Sequence, residues 1–196
     1  MSGGTYDTSC RRRCDLGYGP RVREFSAPKG SSVALSRDHI GREYPASATY
    51  EVGREHLRQF ADAIGDDSPV YRDPAAARAL GYPDVIAPPT FLTVLNFRFG
   101  AEGPTADPTL GLDYSLVVHG EQSFELHRPV VAGDVLSTVT VIEDIRDAGR
   151  NELISTVQTV TAADGSAVAT LRGVIVSRGT AAPKSAAPKP AANVGE

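Results

Sequence analysis

The segment PPTFLTVLNFRFG, residues 88–100, determines the fold predicted for this chain. Two prolines followed by a threonine are typical of a helix start, because a first-turn proline lacks only an N–H that would have no partner there. The final glycine is typical of a helix end. The apolar residues between lie nearly all the way round a helical projection, and such a helix must be buried on most faces. The sequence therefore predicts one enclosed helix, with Phe91, Val94 and Leu95 almost fully buried.

Shorter elements precede this helix. A strand is predicted around residues 50–52, where apolar residues alternate. A helix is predicted from Arg54 to Gly65, because its apolar residues repeat at i, i+3, i+4 and i+7 and glycine readily ends a helix. A second, short helix is predicted to begin at Asp73-Pro74, an N-cap followed by a first-turn proline, and to end at Gly81.

After residue 113 the pattern changes to strands. Four strands are predicted, with many β-branched residues in the second and third, at about 114–127, 134–145, 151–162 and 167–177. Turn sequences at 147–149 and 164–165 join them as hairpins. One strand, then helices, then an antiparallel meander predicts the α+β class. An antiparallel sheet wrapped around one buried helix is the hot-dog fold.

Composition indicates which residues fold and which kinds of partner are excluded. Residues 1–32 and 179–196 lack hydrophobic periodicity and are predicted to be a disordered N-terminal extension and a disordered Ala/Pro/Lys tail, which leaves a domain at 33–178. The whole chain carries a net charge of −4, and the predicted domain contains arginine but no lysine and is more acidic. This charge argues against nucleic acid as a partner. No apolar run reaches the roughly 18–20 residues of a membrane span, and no signal peptide is recognisable, so a cytoplasmic protein is expected.

Metal and cofactor sites are not predicted. Cys10 and Cys14 are the only cysteines, and without a second Cys or His pair nearby they are expected to be free thiols. Dinucleotide, phosphate-loop and serine-nucleophile motifs are absent. None of the four histidines forms a pair with ligand spacing, and each is expected to be a surface or packing residue: His39, His56, His119 and His127.

The segment GDDSPVYRD, residues 65–73, is the densest polar cluster and lies on a loop between two helices. Adjacent carboxylates at Asp66 and Asp67 could perform acid–base chemistry if one of them is buried. Alternatively, Asp66 or Ser68 bonds free backbone N–H groups while Asp73 caps the next helix. The residues by themselves leave both interpretations open.

The start of the enclosed helix is a second candidate site. A helix N-terminus can stabilise an anion through exposed N–H groups. Here Pro88 and Pro89 donate nothing, so only Thr90 and Phe91 offer N–H groups.

Two segments resemble a known family. Phe60-Ala61 with IGDDSPVYRD at 64–73 resembles the hydratase motif of MaoC-like proteins, approximately Phe-Ala-x-x-Ser-Gly-Asp-x-Asn-Pro-Ile-His-x-Asp. FELHRPVVAGDVL at 124–136 resembles the hot-dog signature Phe-x-x-Pro-Val-x-x-Gly-Asp-x-Leu. The resemblance covers about 34–178. It is strongest to the FAS1-like dehydratase N-terminal branch, which includes the non-catalytic subunit of (3R)-hydroxyacyl-ACP dehydratases.

The resemblance also bears on the start of translation. Members of that branch begin much as VALS reads at residues 33–36. Val33 is therefore expected to be an alternative start, with residues 1–32 an upstream extension.

The resemblance implies site residues and a mechanism. In active relatives an Asp and a His activate water for hydration of a trans-2-enoyl thioester, or for the reverse elimination, and a Gly N–H polarises the carbonyl. Asp66 stands at the catalytic Asp, Ser68 at the Asn, Tyr71 at the His and Pro89 at the oxyanion Gly. Asp66 is thus the catalytic candidate, and the substrate-binding candidates are Ser68, Tyr71, Pro89, Thr90 and Phe91.

Two of these replacements weaken catalysis. A phenol with a pKa of about 10 is a poorer base at neutral pH than an imidazole with a pKa of about 6.5. Proline offers no N–H, and loss of one oxyanion donor costs about 10²–10³ in rate. The chain is therefore predicted to need a partner.

The predicted function is a subunit of a (3R)-hydroxyacyl thioester dehydratase or enoyl hydratase. It would shape the acyl site, while a MaoC-like hot-dog partner supplies the catalytic Asp and His. The alternatives are a non-catalytic acyl-thioester binding or regulatory protein, and a self-sufficient hydratase. The expected partners are such a heterodimer subunit, or a second copy in a homodimer, and an acyl-ACP or acyl-CoA.

Overall fold

The structure, a computed structural model, describes residues 34–182. No helix in this range is long and apolar enough to cross a membrane. The disorder predicted for 1–32 and 183–196 concerns residues outside this range. Val33, Cys10 and Cys14 also lie outside it.

The start of the predicted tail is corrected. The Gly179 N–H donates to Asn151 Oδ1 at 3.1 Å, and the Ala181 N–H donates to the Arg150 carbonyl at 3.2 Å. Thr180 is buried, and its hydroxyl donates to the Ser177 carbonyl. Composition did not reveal this extension of the domain, because backbone groups and one small hydroxyl make these contacts.

Six strands form one antiparallel sheet in the order β1-β4-β5-β6-β3, and β2 also pairs with β4. The four long strands predicted from the sequence are confirmed, as is the short one at residue 50. The strand bounds are β1 Glu43–Pro45, β2 Tyr50–Glu51, β3 Val117–Leu126, β4 Val135–Ala148, β5 Asn151–Ala162 and β6 Ala167–Ser177.

Three α-helices lie between β2 and β3: α1 Arg54–Ala63, α2 Pro74–Ala79 and α3 Thr93–Arg98. The predicted ends of the first two helices are confirmed. Gly65 follows α1 with φ +72°, and Gly81 follows α2 with φ +88°. Asp73 caps α2 by accepting a hydrogen bond from the Ala75 N–H at 2.8 Å. Each of these ends depends on local backbone chemistry, which the sequence displays directly.

The enclosed helix is shorter than predicted, because α3 begins at Thr93 and has six residues. Tight turns precede it, in which the Phe91 N–H donates to the Pro88 carbonyl at 2.9 Å. Phe91 and Leu95 are fully buried, as predicted, but Val94 is only partly buried. The prediction for Val94 is wrong because the sheet does not cover every side of α3.

The sheet face that packs against α3, called the inner face, carries two separate apolar clusters. The first cluster includes Phe91 and Leu95 together with Leu136, Val160 and Leu171 of the sheet. The second contains Leu35, Leu110, Ile142, Ile145 and Ile154. Sheet and helix together give the α+β class predicted from the sequence.

Candidate functional site

The loop between α1 and α2 holds three of the predicted site residues, Asp66, Ser68 and Tyr71. Asp66 Oδ1 accepts a hydrogen bond from the Ser68 N–H at 3.0 Å, which forms an Asx turn. The Arg72 guanidinium donates to the Asp66 carbonyl and, at 2.6 Å, to Asp62 Oδ1. The geometry therefore favours the turn-forming interpretation of Asp66 over the catalytic one.

Tyr71 is half-buried at the end of a single turn of 3-10 helix, Pro69–Tyr71. Burial raises the pKa of its phenol, and the charge of Asp66 and the neighbouring Tyr82 raise it further. A phenol whose pKa lies above its usual value of about 10 remains protonated at neutral pH. Tyr71 can therefore donate a hydrogen bond there, but it cannot serve as the general base that an imidazole provides.

The turns before α3 hold the remaining predicted residues. Pro89 and Thr90 are exposed. The Phe91 N–H is already used in its bond to the Pro88 carbonyl. The Thr90 N–H makes no hydrogen bond to any residue of 34–182. Thr90 is thus the one backbone donor at residues 89–91 that remains available to a thioester oxygen.

The side chain of Phe91 belongs to the core. It is 0% exposed and packs edge-to-face against Phe60 and His56, with ring centroids 5.3 and 5.4 Å away. A fully enclosed ring has no surface to offer a ligand. The structure therefore does not support the substrate-binding role predicted for Phe91, since sequence spacing does not separate a core aromatic residue from a pocket one.

The residues of the hot-dog signature perform a structural task. Asp134 accepts hydrogen bonds from Arg128 at 2.7 and 3.0 Å and from the Val131 N–H at 2.9 Å. Val131 in turn pairs with Ile86, and the Ala87 N–H donates to a carbonyl in the same segment. The signature therefore fixes the turn before β4 and holds the chain that leads into α3.

A groove of about 780 Å³ lies between α3 and the inner face of the sheet. Its roof includes Thr93, Asn96 and Phe99, and residues 100 and 102–106 contribute one wall. None of the predicted site residues lines it. Sequence reasoning missed this groove, because it exists only where the short α3 leaves the inner face uncovered.

The middle of the groove floor is polar, whereas Val117 and Ile175 line its end. Successive inward positions near the middle of β4, β5 and β3 carry hydroxyl or amide side chains instead of aliphatic ones. These residues, called the polar band, lie between the two apolar clusters: Gln122, Thr138, Thr140, Thr156 and Gln158. Gly173 of β6 pairs with Gln122 and Thr156 on this floor and adds no side chain.

A hydrogen-bonded cluster anchors the loop after residue 106 beside the groove. Asp107 accepts bonds from the Thr109 hydroxyl at 2.6 Å and from Tyr44 Oη at 3.0 Å. The Thr109 bonds are the main reason that the pKa of Asp107 falls to about 2, and burial is the main reason that the pKa of Tyr44 rises to about 12. Neither group changes its charge near neutral pH, so the pair is suited to anchoring and not to proton transfer.

The histidines do not form a metal site. Among residues 34–182 no group of three or more His, Cys, Asp or Glu could hold a metal ion. His39 is buried and hydrogen-bonds Thr109 at 2.9 Å, whereas His127 is exposed and hydrogen-bonds Thr170. His119 lies at an exposed position along the groove.

Comparison with known proteins gives the family. Residues 38–171 match the family described as the FAS1-like dehydratase domain region. A protein of Saccharopolyspora erythraea named UPF0336 protein is 50% identical over 149 residues, which cover 76% of this chain and 95% of the relative. The structure of a C-terminally truncated HadBC (3R-hydroxyacyl-ACP dehydratase) complex from Mycobacterium tuberculosis is also similar. It has a TM-score of 0.64 and 30% identity, over 72% of this chain and 99% of that one.

A solved MaoC-like dehydratase is 34% identical with a TM-score of 0.64, over 71% of this chain and 42% of that chain. The family match spans well over half of the chain, and both solved relatives have a TM-score of 0.64. The chain therefore belongs to the FAS1-like dehydratase family, and its fold is the hot-dog fold of the MaoC-like dehydratases.

Proposed function

We propose that this chain is a subunit of a (3R)-hydroxyacyl thioester dehydratase or enoyl hydratase. It holds the acyl chain, while a MaoC-like hot-dog partner supplies the catalytic Asp and His. The observation that carries the proposal is that a phenol, Tyr71, stands where the resemblance places the catalytic imidazole, and burial raises its pKa. Family membership supports the reaction class, and the two-component complex named for the similar Mycobacterium structure supports the partner.

The chemistry explains why a partner is needed. Hydration adds water across the double bond, so a base must take a proton from the water while negative charge develops on the thioester oxygen. A general base contributes about 10²–10⁴ to the rate, and each oxyanion donor about 10²–10³. In this chain the position of the base is occupied by the neutral Tyr71, and Pro89 has no N–H. Both contributions must come largely from elsewhere.

The groove suits an acyl chain. Its volume of about 780 Å³ lies within the range of about 300–1,000 Å³ found for small-molecule sites. It lies apart from Asp66 and Tyr71, neither of which lines it. This separation is expected of a subunit that holds the acyl chain but supplies no base, because the groups that act on the reacting atoms then belong to another chain.

The outer edge of the sheet is available to the partner. β3 has ten residues and pairs with β6 on one side, and with no other strand among residues 34–182. Val118 and Leu126 on this strand are 41% and 40% exposed. An unpaired edge presents main-chain donors and acceptors that a strand of another sheet can bond. We assign the MaoC-like partner to this edge.

The test compares the full-length chain, a MaoC-like chain with an intact Asp-x-Asn-Pro-x-His motif, and their co-expressed complex. Hydration of crotonyl-CoA and of longer trans-2-enoyl-CoA substrates is followed by loss of enoyl absorbance. The isolated chain should be nearly inactive and the complex active, and changing the partner's motif histidine to alanine should abolish activity.

Asp66→Asn should reduce the activity of the complex less than about 3-fold, because Asp66 forms a turn and does not activate water. Asp67→Asn is the matched control, since Asp67 is fully exposed. Efficient hydration by the isolated chain, lost on Asp66→Asn but kept on Asp67→Asn, would overturn the proposal. Tight binding of acyl thioesters by an inactive complex would support the acyl-binding or regulatory alternative instead.

A further inference from the structure

The polar band is unusual for the inner face of a sheet. Along β4 the inward residues run from Leu136 through Thr138 and Thr140 to Ile142, so the ends are apolar and the middle is polar. β5 repeats this arrangement with Thr156 and Gln158 between its own apolar ends. Polar side chains cover the floor where α3 no longer packs on the sheet. A groove built only for an alkyl chain would gain by having aliphatic residues there.

Gln158 is the most informative residue of the polar band. It is only 7% exposed, and its Nε2 donates to Thr140 Oγ1 at 3.2 Å. Its Oε1 is buried and has no hydrogen-bond partner among residues 34–182. Exchanging the two amide atoms would not change this conclusion, since the Thr140 hydroxyl can donate or accept while the other amide atom remains unpaired.

An unpaired buried amide atom is unfavourable unless a ligand or water bonds it. A plain alkyl chain in the groove offers Gln158 no hydrogen bond and leaves the amide atom unpaired. A hydroxyl group on the chain can both donate and accept, so it satisfies the amide in either orientation.

We propose that the groove prefers acyl chains that carry a hydroxyl group part-way along the chain, bound by Gln158 beside Thr140. This inference rests on the proposed function, in which the acyl chain occupies the groove. It names the chemical class of the substrate, an oxygenated acyl thioester, and Gln158 as the residue that determines specificity.

The experiment uses the reconstituted complex with the MaoC-like partner. The substrates are trans-2-hexadecenoyl-CoA and a set of hydroxylated derivatives of the same chain length. Each derivative carries a single hydroxyl, placed at a different carbon beyond the double bond. The measured quantity is the ratio of kcat/KM for each hydroxylated substrate to that for the plain one. One position should be preferred about 3- to 10-fold, the range expected for a single buried neutral hydrogen bond.

Gln158→Leu should bring the preferred ratio down to about one or below, because leucine offers the hydroxyl no hydrogen bond. Gln158→Met serves as a second variant if the leucine does not pack. Gln59→Leu is the matched control, because it makes the same change at an exposed position on α1, away from the groove, and should leave the ratio unaltered.

Three outcomes would overturn the inference. Equal kcat/KM for plain and hydroxylated chains would show that water alone satisfies Gln158. A preference that survives in both Gln158 variants would place hydroxyl recognition elsewhere. Absence of turnover with every substrate would remove the proposed function as well. Turnover of plain and hydroxylated substrates with equal kcat/KM contradicts only the inference about Gln158.

Discussion

Replacing Leu95 by alanine tests whether α3 borders an open groove. Leu95 is 0% exposed, packs in the first apolar cluster and also lines the groove. Removing three carbon atoms forfeits about 2.4 kcal/mol at about 0.8 kcal/mol each. A sealed cavity would add about 24 cal/mol per Å³, but the space left at this position opens into the groove and can fill with water. We therefore expect the free energy of unfolding to fall by about 2–3 kcal/mol.

Leu92 supplies the matched control for this substitution. It is 1% exposed in the same cluster but does not line the groove. Leu92→Ala should therefore leave a sealed cavity and lower the free energy of unfolding by about 3–5 kcal/mol. Urea unfolding of the full-length chain and both variants, followed by circular dichroism, measures the difference. Equal losses would contradict an open groove beside Leu95, and losses below about 1 kcal/mol in both variants would mean that α3 packs peripherally.

Three further predictions concern pH, groove size and the missing base. The pKa of Asp84 is lowered to about 2, mainly by its hydrogen bond from Arg54. Its contribution to stability is therefore present above pH about 4 and is lost as the pH falls towards about 2. Asp84→Asn should flatten this part of a plot of unfolding free energy against pH. A Cβ at Gly173 would lie 3.4 Å from a groove-lining hydroxyl. Gly173→Leu should therefore lower kcat/KM of the complex about 10-fold or more for long enoyl chains. The short substrate crotonyl-CoA, whose kcat/KM should stay unchanged, is the internal control. Tyr71→His should raise hydration by the isolated chain only slightly, because Pro89 still offers no N–H; full activity of this variant in the enoyl-CoA assay would contradict that reasoning.

Local features of the fold were readable in the sequence. Gly65 and Asp73 end and begin their helices through backbone conformation and a single side-chain hydrogen bond, which involve only neighbouring residues. That Tyr71 is a weaker base than an imidazole was readable for the same reason. The difference between a phenol at Tyr71 and an imidazole is a property of the side chain itself, and burial only increases it.

The roles of two site residues depended on tertiary contacts. The sequence left open whether Asp66 is a base or forms a turn, and its bond to the Ser68 N–H favours the turn. Phe91 was predicted to touch substrate, yet it is enclosed by rings from α1. Both cases turn on which neighbours the folded chain brings close, and residue type alone does not specify those neighbours.

Amino-acid sequence determined the fold class, the order of strands and helices and the family to which the chain belongs, because these follow from local periodicity, caps and motifs. The tertiary structure alone decided where α3 stops covering the sheet, and hence that a groove exists. Alternation along β4 could not reveal the polar band, since Thr138 and Thr140 alternate with Val139 and Val141. Threonine and valine are both β-branched and fit either face of a strand. Only the packing of α3 on one face shows which of them line the groove.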